Sequence, residues 1–427
     1  QKRSKTPLPM ATNRITSLSE LWEDLQGVYT PDRFSDDIAH RVVLQQADKM
    51  MLENDSSHND IYKSAVFKKL WNKKIIYLTE NTFTEPELAL RQPDMFEHLN
   101  EYPQSEHDEV VFGNGSFFST VGSWTRGYNI WSGSSHTVNE AYSSILDNIE
   151  FNMPGALSSR LSNSAQVLNI DTYVNLTLTS DARNSNEATL QELADDHWSI
   201  KASDEPILNA GIYIVRVTKG NTAKIKEVHA SGNAVFCSNW IYVVDYGATL
   251  ELDRYINQTD GVIDNTHIIQ YPNSKVKINT HDNGNQWRNI NITAYQDTVT
   301  KLNGSTLLKD SDSANFVHVH HKGQNGDSDI KYNSAIYNDN TGNFIGTVQV
   351  EKKAVGTKSE MTNKNLLVDP LSRAFSKPVL HINTKEIECT HGCTTSKISE
   401  DELYYLQSLG VDRRTAKTII ANGHIQI

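Results

Sequence analysis

Beyond residue 205, short β-type segments follow one another with no long helical pattern between them, which excludes an alternating β–α–β architecture. The segments fall at residues 212–217, 241–244, 249–252, 267–269, 276–278, 290–292, 317–320 and 344–350, with an earlier one at 167–178. They alternate or run apolar, and Gly, Asn, Asp or Pro bounds most of them. A sandwich, a barrel and a β-helix all remain open. Successive pairs of strands lie roughly 20–25 residues apart without a clean repeat motif, a spacing that a solenoid accommodates but does not require.

Composition agrees with a chain of many corners. Hydrophobic residues make up 37% of the 427 and charged residues 22%, and mean hydropathy is −0.52. The polarity owes as much to Asn, Asp, Ser and Thr, which satisfy turns, as to charge. A chain this long has room for two or three domains. The net charge of −12 repels phosphate backbones, and no basic stripe offsets it, so nucleic acid is not an expected partner. No run of about 18 apolar residues is present, so no membrane span is expected. Residues 1–10 are polar and basic and lack the apolar segment of a secretory signal, while a trimmed organelle transit sequence stays open. Three cysteines, Cys237, Cys389 and Cys393, are too few for a disulfide framework. A reducing compartment is expected: the cytoplasm, or a plastid or other organelle in a eukaryote.

Helical signals flank the β region. Ser17 and Glu20 have capping-box spacing ahead of Leu18, Leu21, Trp22 and Leu25. A second helix is expected near Ser35, with Ile38, Val42 and Met50 on one face, and a third through Tyr62, Val66, Leu70 and Trp71. Residues 83–108 read as a linker or irregular cover. The run Val110-Val111-Phe112 into Gly113-Asn114-Gly115 reads as a strand and a tight turn. At the other end, Ser399 and Glu402 form a second capping box, Gly410 suits a left-handed helix end, and Asp412 caps a last helix that Gly423 is expected to close. Such a hairpin buries little apolar surface alone, so it must dock on the β body or on a partner. The expected division is 1–108, an N-terminal helical region and linker; 109–398, the β core; and 399–427, the hairpin.

The densest reactive cluster is Glu388-Cys389-Thr390-His391-Gly392-Cys393. If extended, it turns Cys389, His391 and Cys393 to one face. Thiols and an imidazole suit iron, zinc or a cluster edge. Neighbours on that face are about 7 Å apart, too far for three ligands on one ion with bonds of about 2.3 Å. Ligands from another chain would have to complete such a site; the competing reading makes the cysteines small buried hydrophobes and His391 a satisfied histidine. His318 and His320 share a face and could hold a metal, yet alternating Val and His is also an ordinary half-buried strand. The carboxylates are scattered and read as solvated. No phosphate loop, HExxH, GxSxG or paired-carboxylate motif is present.

The C-terminal ninety or so residues carry several motifs in order: Lys377-Pro378-Val379-Leu380-His381-Ile382, then Glu388-Cys389-Thr390-His391-Gly392, then Thr394-Thr395-Ser396-Lys397-Ile398, then Asp401-Glu402-Leu403-Tyr404-Tyr405-Leu406 and Leu409-Gly410-Val411. Together they resemble the C-terminal signature of the SufB/SufD family of iron–sulfur cluster assembly proteins. Residues 344–350 and 357–368 resemble two upstream segments of that family. The C-x-H-G pattern of Cys389, His391 and Gly392 is similar to SufD-type members, whereas Thr394–Lys397 and Asn422-Gly423 look SufB-like. Lys358, Met361 and Cys393 depart from the family's usual Asp, Gln and Ala.

The resemblance implies a right-handed parallel β-helix with an N-terminal helical region and a C-terminal helical hairpin. It further implies a non-enzymatic scaffold that pairs with a SufB-like subunit and docks a SufC-like ABC ATPase. The cluster would be held transiently at the subunit interface, with His391 and Cys389 as metal ligands and Cys393 beside them. Leu403, Tyr404, Leu406, Ile419 and Ile420 are the expected ATPase-docking residues. Two rival readings are an undifferentiated or SufB-like homodimeric scaffold, and a polysaccharide-binding or -cleaving β-helix. The latter needs a groove of carboxylates and aromatics that the sequence does not offer.

Overall fold

The computed structural model describes residues 14–25, 47, 62–77, 108–113, 116–121, 128–132, 149, 151–161, 165–181, 205–230, 234–257 and 261–426. The expected helix near Ser35 and most of the expected linker at 83–108 lie outside the described residues. In chain order the first strands are β1 (Arg14–Thr16), β2 (Ile75–Tyr77), β3 (Asp108–Gly113), β4 (Ser116–Val121), β5 (Tyr128–Ser132), β6 (Ala165–Ile170) and β7 (Val174–Asp181). The regular coil follows as β8 (Ile207–Val217), β9 (Thr222–Ala230), β10 (Ala234–Val244), β11 (Thr249–Asn257), β12 (Gly261–Gln270), β13 (Lys275–Asn283) and β14 (Gln286–Ala294). It ends with β15 (Val299–Leu308), β16 (Ser313–His321), β17 (Asp327–Ile336), β18 (Thr341–Val350), β19 (Lys358–Leu367), β20 (Arg373–Ile382) and β21 (Glu388–Lys397). The helices are α1 (Leu18–Leu25), α2 (Ala65–Trp71), α3 (Met153–Leu161), α4 (Glu400–Ser408) and α5 (Arg413–Ile425).

From β6 onward each strand pairs in parallel with the strand two places along the chain, so even-numbered strands form one sheet and odd-numbered strands the other. This is a β-solenoid of about 7 turns. The structure thus selects the β-helix from the three architectures left open. Between paired residues of the regular coil from β8 onward, one turn takes from 24 residues, as in Val276↔Thr300, to 32, as in Thr341↔Arg373. Strands in the regular coil run nine to eleven residues, longer than the apolar runs in the sequence. The expected single strand at 167–178 is two strands, β6 and β7, with a corner at 171–173.

One corner holds the coil in register. Gly220, Gly247, Asn273, Asp297, Asn325 and Gly356 all have φ between +55° and +77°, a region open to Gly and tolerated by Asn and Asp. The N–H of each donates to a carbonyl of the following turn: Gly247 to Pro272 O, Asn273 to Gln296 O, Asp297 to Gln324 O, and Gly356 to Glu386 O. This ladder is the repeat that the apolar pattern did not reveal.

The N-terminal helices cover the outer face of the even-numbered sheet. Ser17 and Glu20 form the expected reciprocal box, with Glu20 N–H donating to Ser17 Oγ (3.2 Å) and Ser17 N–H to Glu20 Oε2 (3.2 Å). Leu21, Trp22, Phe67, Leu70 and Trp71 pack with Trp287 and Phe316 of the sheet. Every residue of β10 and β12 is therefore buried, on both faces. β3, the expected strand at Val110–Phe112, pairs antiparallel with β4 at the far end of the odd-numbered sheet.

At the C-terminus, α5 lies over the outer face of the odd-numbered sheet, where Ala421, Ile420 and Ile425 meet Ala335, Leu366 and Val368. Asn333 Nδ2 donates to His424 O (2.9 Å), and Lys417 pairs with Asp369 (2.5 Å). Gly410 has the expected left-handed φ of +89°. Gly423 does not close α5, which continues to Ile425 because its last turn is held against β17 and β19.

Candidate functional site

β20 and β21 form the last described turn of the coil, and each is paired on one side only. Along β19, Ser359, Met361, Asn363 and Asn365 are buried and face the lumen. Their partners one turn on are Cys389, His391, Cys393 and Thr395. In parallel register side chains stack in line, so the thiols and imidazole also point inward. They are open to solvent because nothing described lies beyond the last turn: Cys389 is half-buried, and His391 and Cys393 are exposed. The shared face expected from the sequence is therefore the inner face of the coil at its open end, and not an outer wall.

Cys389, Ile387 and Leu380 pack on the apolar lumen. Burial pushes the Cys389 thiol above its ordinary value, opposed in part by a hydrogen bond with the Ser359 backbone. The rim carries exposed apolar side chains, among them Phe375 and Ile382. Among the described residues no three His, Cys, Asp or Glu side chains converge as a metal-binding group. This agrees with the strand spacing: Cys389, His391 and Cys393 are set out along an edge, so any one metal ion would need ligands from elsewhere.

His318 and His320 are on the outer face of β16, their rings stacked 6.0 Å apart, and His320 Nε2 is 2.7 Å from Glu351 Oε1. His321 turns inward to Ser328 Oγ (2.9 Å). Cys237 is buried, its thiol pushed up to about 12 by desolvation and directed at Pro154 O, which makes it a packing residue.

The expected docking residues separate by exposure. Leu403 is 0% exposed and anchors α4, whereas Tyr404 is 64% and Ile419 47% exposed. Leu406 and Ile420 are half-buried. Tyr405 and Leu409, not among the expected docking residues, join the exposed apolar surface of the hairpin.

The lumen also holds a polar network, contrary to the reading of the carboxylates as solvated. Glu227, Arg254, Asp264, Asp282 and Arg288 are all buried, at no more than 3% exposure. Arg254 reaches Glu227 through Nε (2.9 Å) and Nη2 (2.7 Å), and Asp264 through Nη1 (2.9 Å). Arg288 then links Asp264 (3.1 Å) to Asp282 (2.6 Å). Tyr242 OH and His229 Nε2 complete the Glu227 end, at 2.6 and 2.7 Å. Although burial alone raises a carboxyl, Arg254 and His229 outweigh it and hold Glu227 well below the usual carboxylate range. Arg254 and Glu227 are register partners, as are Asp264 and Arg288. A period of 27 or 24 residues between opposite charges was the one available sequence signal.

Residues 200–424 match the family model described as the SUF system FeS cluster assembly, SufBD core domain. That is more than half of the chain. The chain belongs to the SufBD family. Among curated proteins it is similar to the iron–sulfur cluster assembly protein SufD of Escherichia coli, 35% identical over 77 residues, 18% of each chain. A SufBD family protein of Mycobacterium leprae is 32% identical over 106 residues, 25% of this chain and 12% of that one. A chloroplastic SufBD family protein of Arabidopsis thaliana is 31% identical over 103 residues, 24% and 18% of the two chains. The chain thus aligns with under a fifth of the length of these SufBD relatives.

Proposed function

We propose that this SufBD protein is a SufD-like scaffold subunit of an iron–sulfur cluster assembly complex. Its open end pairs with a SufB-like subunit, and its C-terminal hairpin docks a SufC-like ABC ATPase. The cluster, as cargo, is built where Cys389 and His391, with Cys393 beside them, meet ligands of the other chain. The supporting observation is the last described turn, where two strands, each with one edge unpaired among the described residues, frame two inward thiols and an imidazole. A free, flat edge recruits another strand, and a second coil laid on it would close the lumen over these groups and exclude water. The chain performs no hydrolysis itself. Nucleotide-driven movement of the hairpin would open and close that interface, since α5 is tied to the sheet that ends in β21. The functional division follows residues 1–108, 109–398 and 399–427.

Co-expression with candidate SufB-like and SufC-like subunits, purification through this chain and an absorbance spectrum after iron and sulfide reconstitution test the proposal. A ternary complex with cluster absorbance is the expected result. Recovery of this chain without either subunit would reject it. Truncation from Ser399 onward should retain the SufB-like subunit and lose the ATPase.

A further inference from the structure

α3 lies across β8, β10 and β12 on the outer face of the even-numbered sheet, and polar groups bind its underside. Ser158 Oγ donates to Cys237 O (2.7 Å) and Gly211 O (3.2 Å), and Asn239 Nδ2 donates to Gly155 O (2.7 Å) and Ser159 Oγ (2.8 Å). Ahead of the helix, Asn152 Oδ1 accepts from Gly155 N–H (2.9 Å) and Asn152 Nδ2 donates to Asn265 Oδ1. Leu157 and Leu161 supply the apolar hold. Water can replace the hydrogen bonds when the helix leaves, so they resist its departure only modestly. The same face also holds polar atoms that α3 covers without answering. Asn239 Oδ1, Asn265 Nδ2 and His267 Nε2 are buried with no hydrogen-bond partner among the described residues. They form one patch, since Asn239 and Asn265 are register partners and Asn265 and His267 point outward from the same strand. Phe151, two residues ahead of α3, closes over the His267 ring edge-on, with centroids 5.8 Å apart.

We propose that α3, with Phe151 ahead of it, is an acid-released cover: protonation of His267 lifts it from β8, β10 and β12 while the coil stays folded. A protonated ring carries its charge on a nitrogen for which the covered face has no acceptor, and water solvates that charge once the face is open. The surrounding elements do little to answer it. β10 and β14 place Ile241 and Asn291 beside the ring. The ionisable groups on this side are Cys237 of β10, Arg160 of α3, Tyr62, the exposed Lys68 and Lys69 of α2, and Arg216 of β8, which pairs with Asp245. The carboxylates of α1, Glu20, Glu23 and Asp24, are exposed. Among the described residues Asp264, on the lumen face of β12, is the one charge that acts on His267, and Arg254 and Arg288 already hold it.

Burial pushes His267 down to about 4, opposed in part by Asp264. Uncovered, the ring regains the ordinary value of about 6.5. Between those values the open state binds the proton and the covered state does not. The cover is therefore at full strength above pH 6.5 and loses ground as pH falls toward 4. From pH 7.5 to pH 5 the ratio of open to covered molecules should rise roughly 30-fold. The coil beneath keeps its own supports, because neither the lumen packing nor the corner ladder includes a residue of α3. The inference needs neither the rim at β21 nor a partner subunit.

Hydrogen exchange of the full chain, read by mass spectrometry at pH 7.5 and pH 5 and divided by the intrinsic rate at each pH, tests the proposal. Protection of peptides within residues 153–161 should fall roughly 30-fold at the lower pH. Protection of β11, β12 and β13 should hold, which shows that the coil is still folded. His267→Gln carries no charge at either pH and should flatten the response of α3. Should that variant fail to fold, Phe151→Ala serves in its place: it uncovers the ring at neutral pH and should also shrink the response. Unchanged protection of α3 in the wild type overturns the proposal. So does an equal loss in α3 and in the three strands, which would be unfolding of the whole chain. An undiminished response in either folded variant overturns it as well.

Discussion

His391 lies directly opposite Met361 in the last two strands of the odd-numbered sheet, with both side chains directed into the lumen. Met361 is fully buried and His391 is exposed. One strand step therefore carries the chain from packed core to reactive rim. The same inward geometry that builds the core over the preceding turns leaves Cys389, His391 and Cys393 open at its end, because nothing described lies beyond the final turn.

His391→Ala removes an exposed side chain, so folding stability should change by no more than about 0.5 kcal/mol. The variant should still assemble with its partners yet fail to mature a cluster. Thermal unfolding and the absorbance of the reconstituted complex measure the two effects. A normal cluster yield would reject His391 as a ligand.

The buried charge network is sensitive to the loss of one member. Arg254→Met leaves Glu227 and Asp264 without their shared cation and should cost about 3–5 kcal/mol. The double variant with Glu227→Gln should cost less than the sum of the two single changes, because the two groups contact each other. Urea unfolding of the four proteins supplies the comparison.

Burial holds His267 at about 4, and burial together with the nearby His320 does the same for His321. Between the ordinary histidine value of 6.5 and about 4, the unfolded chain therefore binds more protons than the native state. Stability should be insensitive to these groups above pH 6.5 and fall as pH drops through that window, by up to about 3 kcal/mol for each. Denaturant midpoints at pH 7, 5.5 and 4.5 should show this decline, and a His267→Gln, His321→Gln variant should flatten it.

Gly304 leaves room for the Tyr332 ring, since a Cβ there would lie 2.2 Å from Cε2. Gly304→Ala should destabilise by about 1–3 kcal/mol. In a Tyr332→Ala background the same change should cost almost nothing, a coupling that chemical denaturation of the wild type and the three variants would detect.

Leu403 and Tyr404 are adjacent but should behave oppositely. Leu403→Ala empties a buried position and should lower stability by about 2–5 kcal/mol. Tyr404→Ser combined with Tyr405→Ser should leave the melting temperature in place and abolish ATPase capture. Retention of the ATPase by the folded double variant would exclude this surface.

Local chemistry determined much of this protein from the sequence alone. The Ser17–Glu20 box, the Ser399 and Asp412 caps and the turn at Gly410 depend on residues within a few positions of one another, so their patterns are legible without a fold. The alternation along an extended segment likewise put Cys389, His391 and Cys393 on one strand face. Strand length was hidden because buried positions such as Thr280, Asn289 and Asn363 are polar and interrupt the apolar pattern. What only the tertiary structure decided were the contacts one turn apart. Glu227 looks solvated beside Lys224 and Lys226 until the coil sets Arg254 against it. In the same way, the inward direction of His391 depends on Met361, thirty residues earlier in the chain. Alternation along a strand places side chains on one of two faces, but which face becomes the interior is settled only when the neighbouring turns stack.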